Sequence, residues 1–378
     1  MKDRELLDTT LIVLCAGNST RFALEPKKQW IRCNDEPLWL YVTKKLESYQ
    51  SFAKIIIVAH EEELKYMKNF NDEYIYVAGG DERQNSMANG LQKVTSKYVM
   101  VTDVARCCVP KEVIENLFKH RDMADCIVPY LSSTDTVVYE SETLNREEIK
   151  LIQTPQLSDT VKLQEAMNQK KLFTDDSSAI KSIGGSVFYI KGSSKSIKLT
   201  FGEELSKISC LPTPSKDFFV GTGIDIHPFE NGKKMFLGGV EIESSFGFKA
   251  HSDGDVLIHS LIDALLGACG AGDIGEFFPD TDPKYKGVDS KILLQEIVKF
   301  VKNVGFSIVN VDVSILAQVP KINPYKVQIK KSLSILLGLP SYKINIKATT
   351  GEELGFVGRS EGVVVQTAVN LKYYDWSL

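Results

Sequence analysis

The sequence predicts an α/β protein with two domains. Its 378 residues exceed the length that one compact hydrophobic core usually organises. In the first half, short apolar runs alternate with helix-period segments, which favours a parallel sheet covered by helices on both faces. A proline-bearing segment at residues 211–215 then interrupts the alternation and is typical of a linker. We therefore expect one domain at residues 1–212 and a second at residues 213–378.

The expected strands and helices follow from the period of the apolar residues. In the first half we expect strands at 11–15, 55–59, 74–77, 98–102 and 125–128 and helices at 37–49, 84–94 and 111–119. In the second half we expect strands at 218–226, 234–242, 307–316, 343–347 and 362–371 and helices at 255–268, 290–304 and 324–336. Ligands of parallel sheets bind at the carboxyl ends of the strands, so the loops there are the expected sites.

Composition and charge exclude some classes of partner. The hydrophobic fraction of 43% and the charged fraction of 25% are ordinary for a globular protein. A net charge of -4 lacks the basic excess that nucleic-acid binding leaves, so we expect no nucleic-acid partner. We find no apolar run long enough to cross a bilayer and no signal-peptide pattern, so we expect no membrane partner and a cytoplasmic location.

The seven cysteines are scattered along the chain, odd in number and free of any Cys-x-x-Cys pair. This pattern favours reduced thiols over a disulfide framework or a zinc ribbon.

A loop after the first predicted strand has the composition of an anion site. Gly17 and the small polar residues after it let backbone N–H groups face a phosphate, and Arg21 and Lys28 add positive charge. An ordinary loop with solvated basic residues explains this segment about equally well. It is not a Walker loop, because the Gly-Lys-Ser/Thr ending is absent.

Three more segments of the first half carry polar chemistry. A glycine-rich turn at 79–86 leads into a helix and suits a nucleotide phosphate or base. The strand ending at Asp103 places a carboxylate where nucleotide enzymes often hold magnesium. Further along, Arg146, Thr154 and Lys198 supply polar and cationic positions, each of which could equally be a surface residue.

The second half concentrates its metal-ligand chemistry in one stretch. Asp225 and His227 alternate along a predicted strand and therefore share a face, and His259 lies on the following helix. One carboxylate, two imidazoles and an open position suit a catalytic zinc ion, although a single helix histidine is more often a packed or surface residue. Asp263, one turn after His259, could orient the imidazole, contact substrate or be a surface acid.

The first half resembles the 2-C-methyl-D-erythritol 4-phosphate cytidylyltransferase family. The resemblance rests on Ala-Gly…Arg…Lys-Gln, Gly-Gly-Asp-Glu-Arg-x-x-Ser, Asp-x-Ala-Arg, Arg…Thr-Pro-Gln and Thr-Asp-Asp, in that order, over about 210 residues. It implies a Rossmann-like nucleotidyltransferase domain that joins CTP to methylerythritol phosphate with Mg²⁺. It implies catalytic roles for Arg21 and Lys28, and substrate binding by Gly17, Asp81, Arg83, Ser86, Asp103, Arg146, Thr154 and Lys198. Lys27 and Ser19 depart from the proline and glycine usual in the family.

The last 160 residues resemble the 2-C-methyl-D-erythritol 2,4-cyclodiphosphate synthase family, through polar segments at 250–256, 272–275, 278–282, 317–321, 347–352 and 355–359. The glycines at 267–275 also have a simpler interpretation, as helix-ending and turn residues. The resemblance implies an α+β domain in which Asp225, His227 and His259 bind zinc or another divalent cation. It implies catalytic roles for His251 and Thr350 and a second cation, Mg²⁺, near Glu352. Implied substrate contacts are Ser252, Asp273, Ile274, Gly275, Phe278, Pro279, Asp280, Thr281, Asp282, Ala317, Pro320, Lys321, Thr349, Glu352, Phe356 and Arg359.

Together the two resemblances imply a bifunctional enzyme of isoprenoid synthesis, acting on CTP, methylerythritol phosphate and CDP-methylerythritol 2-phosphate. A separate kinase must act between the two steps, because the second substrate carries an added phosphate. The families also imply a homo-oligomer, with dimeric transferase and trimeric cyclase contacts that could combine into a hexamer. The alternatives are a sugar-nucleotide pyrophosphorylase fused to an unrelated metal-binding domain, a non-catalytic scaffold, and a structural zinc module, which would need four Cys or His ligands.

Overall fold

A computed structural model of the chain describes residues 8–169, 171–250, 252–279 and 281–378. Two of the predicted site residues, His251 and Asp280, lie outside the described residues. The chain divides into two compact units. The first extends to Thr213 and includes Trp376–Leu378, and the second comprises Pro214–Asp375. The indole N–H of Trp376 donates to the carbonyl oxygen of Arg32 at 2.7 Å, which ties the end of the chain into the first unit.

The first unit alternates strands with helices, as its apolar pattern predicts. Its helices are α1 (Leu38–Tyr49), α2 (Glu61–Lys68), α3 (Arg83–Leu91), α4 (Lys111–Lys119), α5 (Thr160–Met167) and α6 (Asp176–Ser182). Its strands are β1 (Thr9–Leu14), β2 (Arg32–Cys33), β3 (Glu36–Pro37), β4 (Lys54–Ala59), β5 (Ile75–Ala78), β6 (Tyr98–Asp103), β7 (Cys126–Ser132), β8 (Val137–Tyr139), β9 (Glu142–Leu144), β10 (Lys150–Ile152), β11 (Gln156–Asp159) and β12 (Val187–Lys191).

The main sheet of the first unit is mixed, in the order β10-β7-β11-β6-β1-β4-β5, with β12 also paired to β7. β6, β1, β4 and β5 are parallel, and every residue of β1 and β6 is buried. The expected all-parallel sheet is wrong at β11, which runs antiparallel to both β6 and β7. The chain between β7 and β11 holds the β8–β9 hairpin in place of a crossover helix, so it returns in the opposite direction.

The expectation that all cysteines are reduced is wrong for Cys108 and Cys210, which form a disulfide. These residues are 102 positions apart in the sequence, and the fold brings their Cα atoms to 5.9 Å. Spacing alone could not predict this approach. The free cysteines among the described residues are all buried.

The second unit has an α+β arrangement. Its helices are α7 (Val256–Cys269), α8 (Ile274–Phe277), α9 (Ser290–Asn303), α10 (Lys326–Leu337) and α11 (Gly355–Gly358). Its strands are β13 (Phe218–Asn231), β14 (Met235–Leu237), β15 (Val240–Ile242), β16 (Phe246–Phe248), β17 (Phe306–Leu316), β18 (Ile344–Thr349) and β19 (Gly362–Tyr373). The sheet order is β16-β13-β19-β17-β18, antiparallel except for the parallel pair β17–β18. The strand expected at 234–242 is the hairpin β14–β15, because Gly238 and Gly239 turn the chain at positive φ.

Helix α7 lies directly on the backbone of β13. A Cβ atom on Gly221 would lie 2.0 Å from the carbonyl oxygen of Ala264, and one on Gly223 would lie 2.0 Å from that of Ser260. Glycine is therefore required at both positions. Because strand side chains alternate, Asp225 and His227 continue the same face toward the helix.

The start of α7 is fixed by a completely buried carboxylate. Asp255 accepts hydrogen bonds from the backbone N–H groups of Ile258, Gly238 and Gly239 at 3.0, 2.9 and 2.6 Å. This cap joins the helix to the β14–β15 turn and so sets the position of His259 one turn further along.

Among the residues that the structure describes, no helix is long and apolar enough to cross a bilayer.

We expect the substitution Gly221→Ala to loosen the β13–α7 contact, since its methyl group has no room. Overpacking of this kind costs about 1–3 kcal/mol of unfolding free energy. Hydrogen–deuterium exchange of α7 peptides in the full chain should become faster. Gly267→Ala is the matched control. A Cβ atom at position 267 would lie 4.0 Å from the nearest atoms of β13, so exchange should be unchanged or slower. Equal exchange in both variants would contradict the required close approach.

Candidate active sites

The carboxyl ends of β1 and β6 open onto a cavity of about 350 Å³ in the first unit. Loops after β1 and β5 and the segment around Lys198 form its walls, as expected for a sheet of parallel strands. The sequence-predicted residues that line it are Gly17, Arg21, Lys28, Asp81, Arg83, Ser86, Asp103 and Lys198. Asn18, Thr20, Phe22 and Thr200 also line it and were missed, since single polar or aromatic loop residues carry no distinctive signal.

The loop after β1 is held by its own side chains. Ser19, at a φ of 56°, accepts the backbone N–H of Lys28 at 3.0 Å and donates to the side-chain oxygen of Gln29 at 3.3 Å. Gln29 in turn donates to the carbonyl oxygen of Gly17 at 3.3 Å. The serine that departs from the family glycine therefore closes the two ends of the loop onto each other.

Glu63 of α2 anchors this loop from outside. Its buried carboxylate accepts hydrogen bonds from Lys27 at 2.5 Å, from the Gln29 amide at 3.2 Å and from the Trp30 indole at 2.7 Å. Lys27, the second departure from the family pattern, is thus neutralised by Glu63, whereas its neighbour Lys28 lines the cavity. Sequence reasoning missed Glu63, because it is more than 30 residues from its partners and lies in an acidic helical turn.

Asp103, at the end of β6, forms salt bridges with two cationic side chains. Its oxygens lie 2.9 Å from Arg83 Nε and 2.9 Å from Lys198 Nζ. Burial would raise the pKa of Asp103, but these cations outweigh it and lower the pKa to about 2. Asp103 therefore carries a charge that orders Arg83 and Lys198 around the cavity.

Asp176 is a further member of this cluster that the sequence analysis gave no role. Its completely buried carboxylate lies 3.2 Å from Arg83 Nη1. Burial raises the pKa of Asp176 to about 6, with Arg83 acting in the opposite direction. The signal available was the Thr-Asp-Asp motif, but a buried acid cannot be recognised without its tertiary neighbours.

Lys28 lies in an environment that lowers the pKa of its ammonium group. Partial burial, together with the positive charges of Lys198 and Arg21, lowers its pKa from 10.5 to about 8. An incoming phosphate would relieve this repulsion, so the cavity is prepared for an anion.

The remaining predicted residues of the first unit differ in position. Ser86 lies at the start of α3 and accepts the backbone N–H of Gly80 at 3.1 Å, which shapes the glycine turn beside exposed Asp81. Thr154 is buried and accepts the backbone N–H of Asp103 at 3.4 Å, so it supports the site from below. Arg146 is exposed beyond the β8–β9 hairpin and does not line the cavity.

In the second unit, Asp225, His227 and His259 converge. Asp225 Oδ2 lies 3.0 Å from His227 Nε2 and 3.2 Å from His259 Nδ1, and the three ligand atoms lie within 4.8 Å of one another. Asp225 Oδ2 is nevertheless buried without a properly oriented hydrogen bond to any described residue. One carboxylate oxygen and two imidazole nitrogens this close together form a donor set that fits a divalent cation such as zinc.

The charge balance of this cluster supports the same conclusion. Burial would raise the pKa of Asp225, but His227 and His259 more than offset it and hold the pKa below its ordinary value. Burial would lower the pKa of His259, but the carboxylate of Asp225 raises it. The site therefore offers a negative charge and two imidazoles in a half-buried setting.

Asp263 has a role outside the three alternatives that the sequence left open. Its Oδ1 accepts the backbone N–H of Ile274 at 2.8 Å. Asp273 caps the same short helix by accepting the N–H of Glu276 at 3.0 Å. Asp263 thus fixes the segment of Asp273, Ile274 and Gly275 beside α7.

A second group of predicted residues lies where β17 and β18 end. The N–H of Ala317 donates to the carbonyl oxygen of Thr349 at 3.0 Å, which joins the segment of Pro320 and exposed Lys321 to that of Thr350. Thr350 donates to Glu352 at 2.5 Å. The strand register aligns this end of the sheet with Asp225, but β19 lies between them.

The other predicted contacts of the second unit are scattered. Phe278 is buried against Tyr285, with ring centroids 5.2 Å apart, so it packs the loop around it. Arg359 forms an exposed pair of hydrogen bonds with Glu361. Ser252 lies 3.3 Å from His259 Nε2, and Asp282 caps a short turn; Pro279, Thr281 and Phe356 are exposed.

Comparison with known proteins identifies a family for each half of the chain. Residues 9–211 match the family described as 2-C-methyl-D-erythritol 4-phosphate cytidylyltransferase, and residues 218–372 match the YgbB family. The chain belongs to the bifunctional IspD/IspF family. It is 63% identical over 371 residues to the bifunctional enzyme IspD/IspF of Aliarcobacter butzleri, covering 98% of this chain and 99% of that protein. The corresponding Campylobacter fetus enzyme is 51% identical, with coverage of 98% and 99%.

A solved structure extends the likeness to the fold. The bifunctional IspDF from Campylobacter jejuni aligns with a TM-score of 0.89 at 47% identity, covering 98% of this chain and 100% of that one. As a bifunctional IspD/IspF enzyme of the methylerythritol phosphate pathway, this chain combines a cytidylyltransferase with a cyclodiphosphate synthase. The predicted fold class and the two activities are confirmed. The pyrophosphorylase, scaffold and zinc-module alternatives are wrong, because both halves match enzyme families.

The lowered pKa of Lys28 predicts an alkaline limit to the transferase. Its positive charge is lost as the pH rises through about 8, so kcat/KM for CTP should fall above that pH. Lys28→Arg should move the fall to higher pH, since the guanidinium stays charged, while lowering the rate at pH 7 through altered geometry. Lys27→Arg is the control, because that side chain pairs with Glu63, and its profile should match the parent. A parent profile of kcat/KM that stays flat to pH 9.5 would contradict the attribution of this alkaline limit to Lys28.

Proposed function

We propose that the cavity of the first unit performs cytidylyl transfer with Arg21 and Lys28 as its catalytic cations. The observation that carries this is the convergence of Arg21, Lys28, Arg83 and Lys198 on one cavity after β1. The phosphate of methylerythritol phosphate attacks the α-phosphorus of CTP, and diphosphate leaves. Negative charge spreads over the phosphoryl oxygens in that step, so fixed cations lower the barrier.

The remaining residues of the cavity would position the two substrates. Asp81, Arg83 and Ser86 would hold the cytidine end beside Gly17, and Lys198 would bind the methylerythritol phosphate. Arg146, which does not line this cavity, would reach that phosphate from outside it. Asp103 keeps Arg83 and Lys198 in place, and Thr154 supports Asp103. Magnesium bound with CTP would supply further charge neutralisation on the leaving diphosphate.

The second unit would hold a divalent cation, zinc by its donor set, on Asp225, His227 and His259. A bound zinc would polarise a phosphate of CDP-methylerythritol 2-phosphate, and Mg²⁺ near Glu352 would offset charge on the bridging phosphates. The 2-phosphate of the substrate attacks the β-phosphorus, and CMP leaves. Thr350 and His251 would donate hydrogen bonds to the phosphoryl oxygens.

The binding residues of the cyclase form three groups. Asp273, Ile274 and Gly275 would meet the ribose. The segment of Ala317, Pro320 and Lys321 would bind cytosine through backbone groups. The remaining residues would contact the phosphates and the methylerythritol carbon chain of the substrate. They are Ser252, Phe278, Pro279, Asp280, Thr281, Asp282, Thr349, Phe356 and Arg359.

The two activities can be separated by phosphorus NMR on the full chain. With CTP, methylerythritol phosphate and Mg²⁺, we expect diphosphate and CDP-methylerythritol. After addition of a kinase and ATP, CMP and a cyclic diphosphate should appear. A zinc-selective chelator with Mg²⁺ in excess should abolish CMP release and leave diphosphate release unchanged. Cyclisation that survives complete removal of zinc would contradict the metal assignment, and absence of the first product would contradict the roles of Arg21 and Lys28.

We further propose that the chain works in the cytoplasm in sequence with a separate kinase, because neither domain family supplies the intervening phosphorylation. We also propose that the transferase domain comprises residues 1–212 and the cyclase domain residues 213–378.

A homo-oligomer would complete the cyclase site. Strand β19 separates Asp225 and His227 on β13 from the cytosine segment after β17, a distance of about two strand spacings, or roughly 10 Å. The face of β13 opposite α7 also exposes an apolar row at Phe218, Val220, Ile224 and Ile226. We propose that trimeric contacts bury this row. Dimeric contacts of the transferase would bury the exposed apolar residues of the β8–β9 hairpin, such as Val138 and Tyr139, and the two together would give a hexamer.

The apolar row predicts a variant with altered assembly. Ile224→Lys should lower the mass measured by light scattering, because a charge would be buried in the trimer contact. Ile335→Lys is the control; that side chain, on α10, is 73% exposed, compared with 58% for Ile224, but lies outside the row. A monomeric parent at working concentration would contradict the proposal.

A further inference from the structure

The imidazole of His259 is held at both of its nitrogens. Nδ1 lies 3.2 Å from Asp225 Oδ2, on the side where the metal ligands converge. Nε2, on the opposite side of the ring, lies 3.0 Å from the hydroxyl oxygen of Ser290. Ser290 is completely buried at the first turn of α9, 31 residues after His259. The ring of His259 is therefore positioned by a residue outside the converging cluster.

Ser290 is itself fixed by Asp253. Its hydroxyl donates to Asp253 Oδ1 at 2.5 Å, and its backbone N–H donates to Asp253 Oδ2 at 3.2 Å. A hydroxyl group has one proton, and that proton is directed to the carboxylate. The hydroxyl oxygen can therefore only accept from the ring, which requires that Nε2 carry the hydrogen.

The consequence is a defined tautomer. A neutral imidazole protonated at Nε2 has its lone pair on Nδ1, the nitrogen that faces Asp225 and His227. Histidine ligands of metals are commonly oriented by a hydrogen bond from their second nitrogen, and loss of that bond costs about 10- to 100-fold in metal affinity.

We propose that Asp253 and Ser290 are positioning residues of the cyclase metal site. The chain Asp253–Ser290–His259 fixes both the ring orientation and the tautomer that presents Nδ1 to the cation. Neither Asp253 nor Ser290 belongs to the cluster of Asp225, His227 and His259. The proposal rests on the metal role assigned above to His259.

Ser252 is the competing hydroxyl. Its oxygen lies 3.3 Å from the same Nε2 atom, but it also accepts the backbone N–H of Gly254 at 3.1 Å. The contact from Ser290 is shorter, and Ser290 is the more deeply buried of the two. We therefore assign the orienting role to Ser290.

The first test is the zinc dissociation constant of the full chain, measured by competition with a chromophoric chelator. Ser290→Ala and Asp253→Asn should each weaken zinc binding about 10- to 100-fold. In both variants, saturating zinc should restore kcat toward the parent value. Asp289→Ala is the control, because it removes the cap of α9, an N–H bond from Lys291, without touching His259, and it should leave zinc affinity unchanged.

The second test reads the tautomer directly. Nitrogen-15 shifts of His259 in the zinc-free parent, recorded at a pH high enough for the ring to be neutral, should show the hydrogen on Nε2, and Ser290→Ala should reduce that preference. A neutral ring with its hydrogen on Nδ1 in the parent would overturn the proposal even if Ser290→Ala did not fold.

The outcomes separate this proposal from the one on which it rests. If His259→Ala leaves zinc affinity unchanged, the metal assignment itself fails. If His259→Ala abolishes binding while Ser290→Ala and Asp253→Asn stay within twofold of the parent, only the positioning role fails. Weakening by Ser252→Ala alone would overturn the assignment to Ser290.

Discussion

Each candidate active site is organised around a buried or half-buried carboxylate. That carboxylate pairs with cationic or imidazole side chains from distant parts of the chain. A carboxylate removed from water is costly unless charges or hydrogen bonds compensate it. In the first unit, Asp103 meets this requirement with Arg83 and Lys198, which come from α3 and from the segment after β12. In the second unit, Asp225 meets it with His227 and His259. The same compensation that makes burial tolerable therefore assembles the candidate catalytic and metal-binding groups.

Backbone contacts supply the precision that these charges need. Gly221 and Gly223 let α7 lie on β13 at atomic contact, so His259 reaches the two ligands on the strand. In the first unit, Ser19 and Glu63 close and anchor the loop after β1. These arrangements hold the candidate catalytic side chains on well-packed elements, and such placement reduces the reorganisation required during reaction.

The two departures from the family pattern in the loop after β1, Lys27 and Ser19, both take part in holding that loop. Lys27 could have competed with Lys28 for an incoming phosphate, but Glu63 neutralises it. Ser19 adopts the left-handed backbone region that favours glycine and uses its hydroxyl to hold the loop. Hydrogen bonds therefore hold the loop around Lys28 at both of these positions.

The sequence by itself determined the order of most strands and helices, the two families and the three residues of the candidate metal cluster. It did so because apolar periodicity and motif spacing are local properties of the chain. Only the tertiary structure decided the antiparallel position of β11, the Cys108–Cys210 disulfide and the parts played by Glu63 and Asp176. Likewise, the bond from Ser290 to His259 joins residues 31 positions apart. Such contacts depend on which elements pack together, and no spacing rule along the chain encodes that choice.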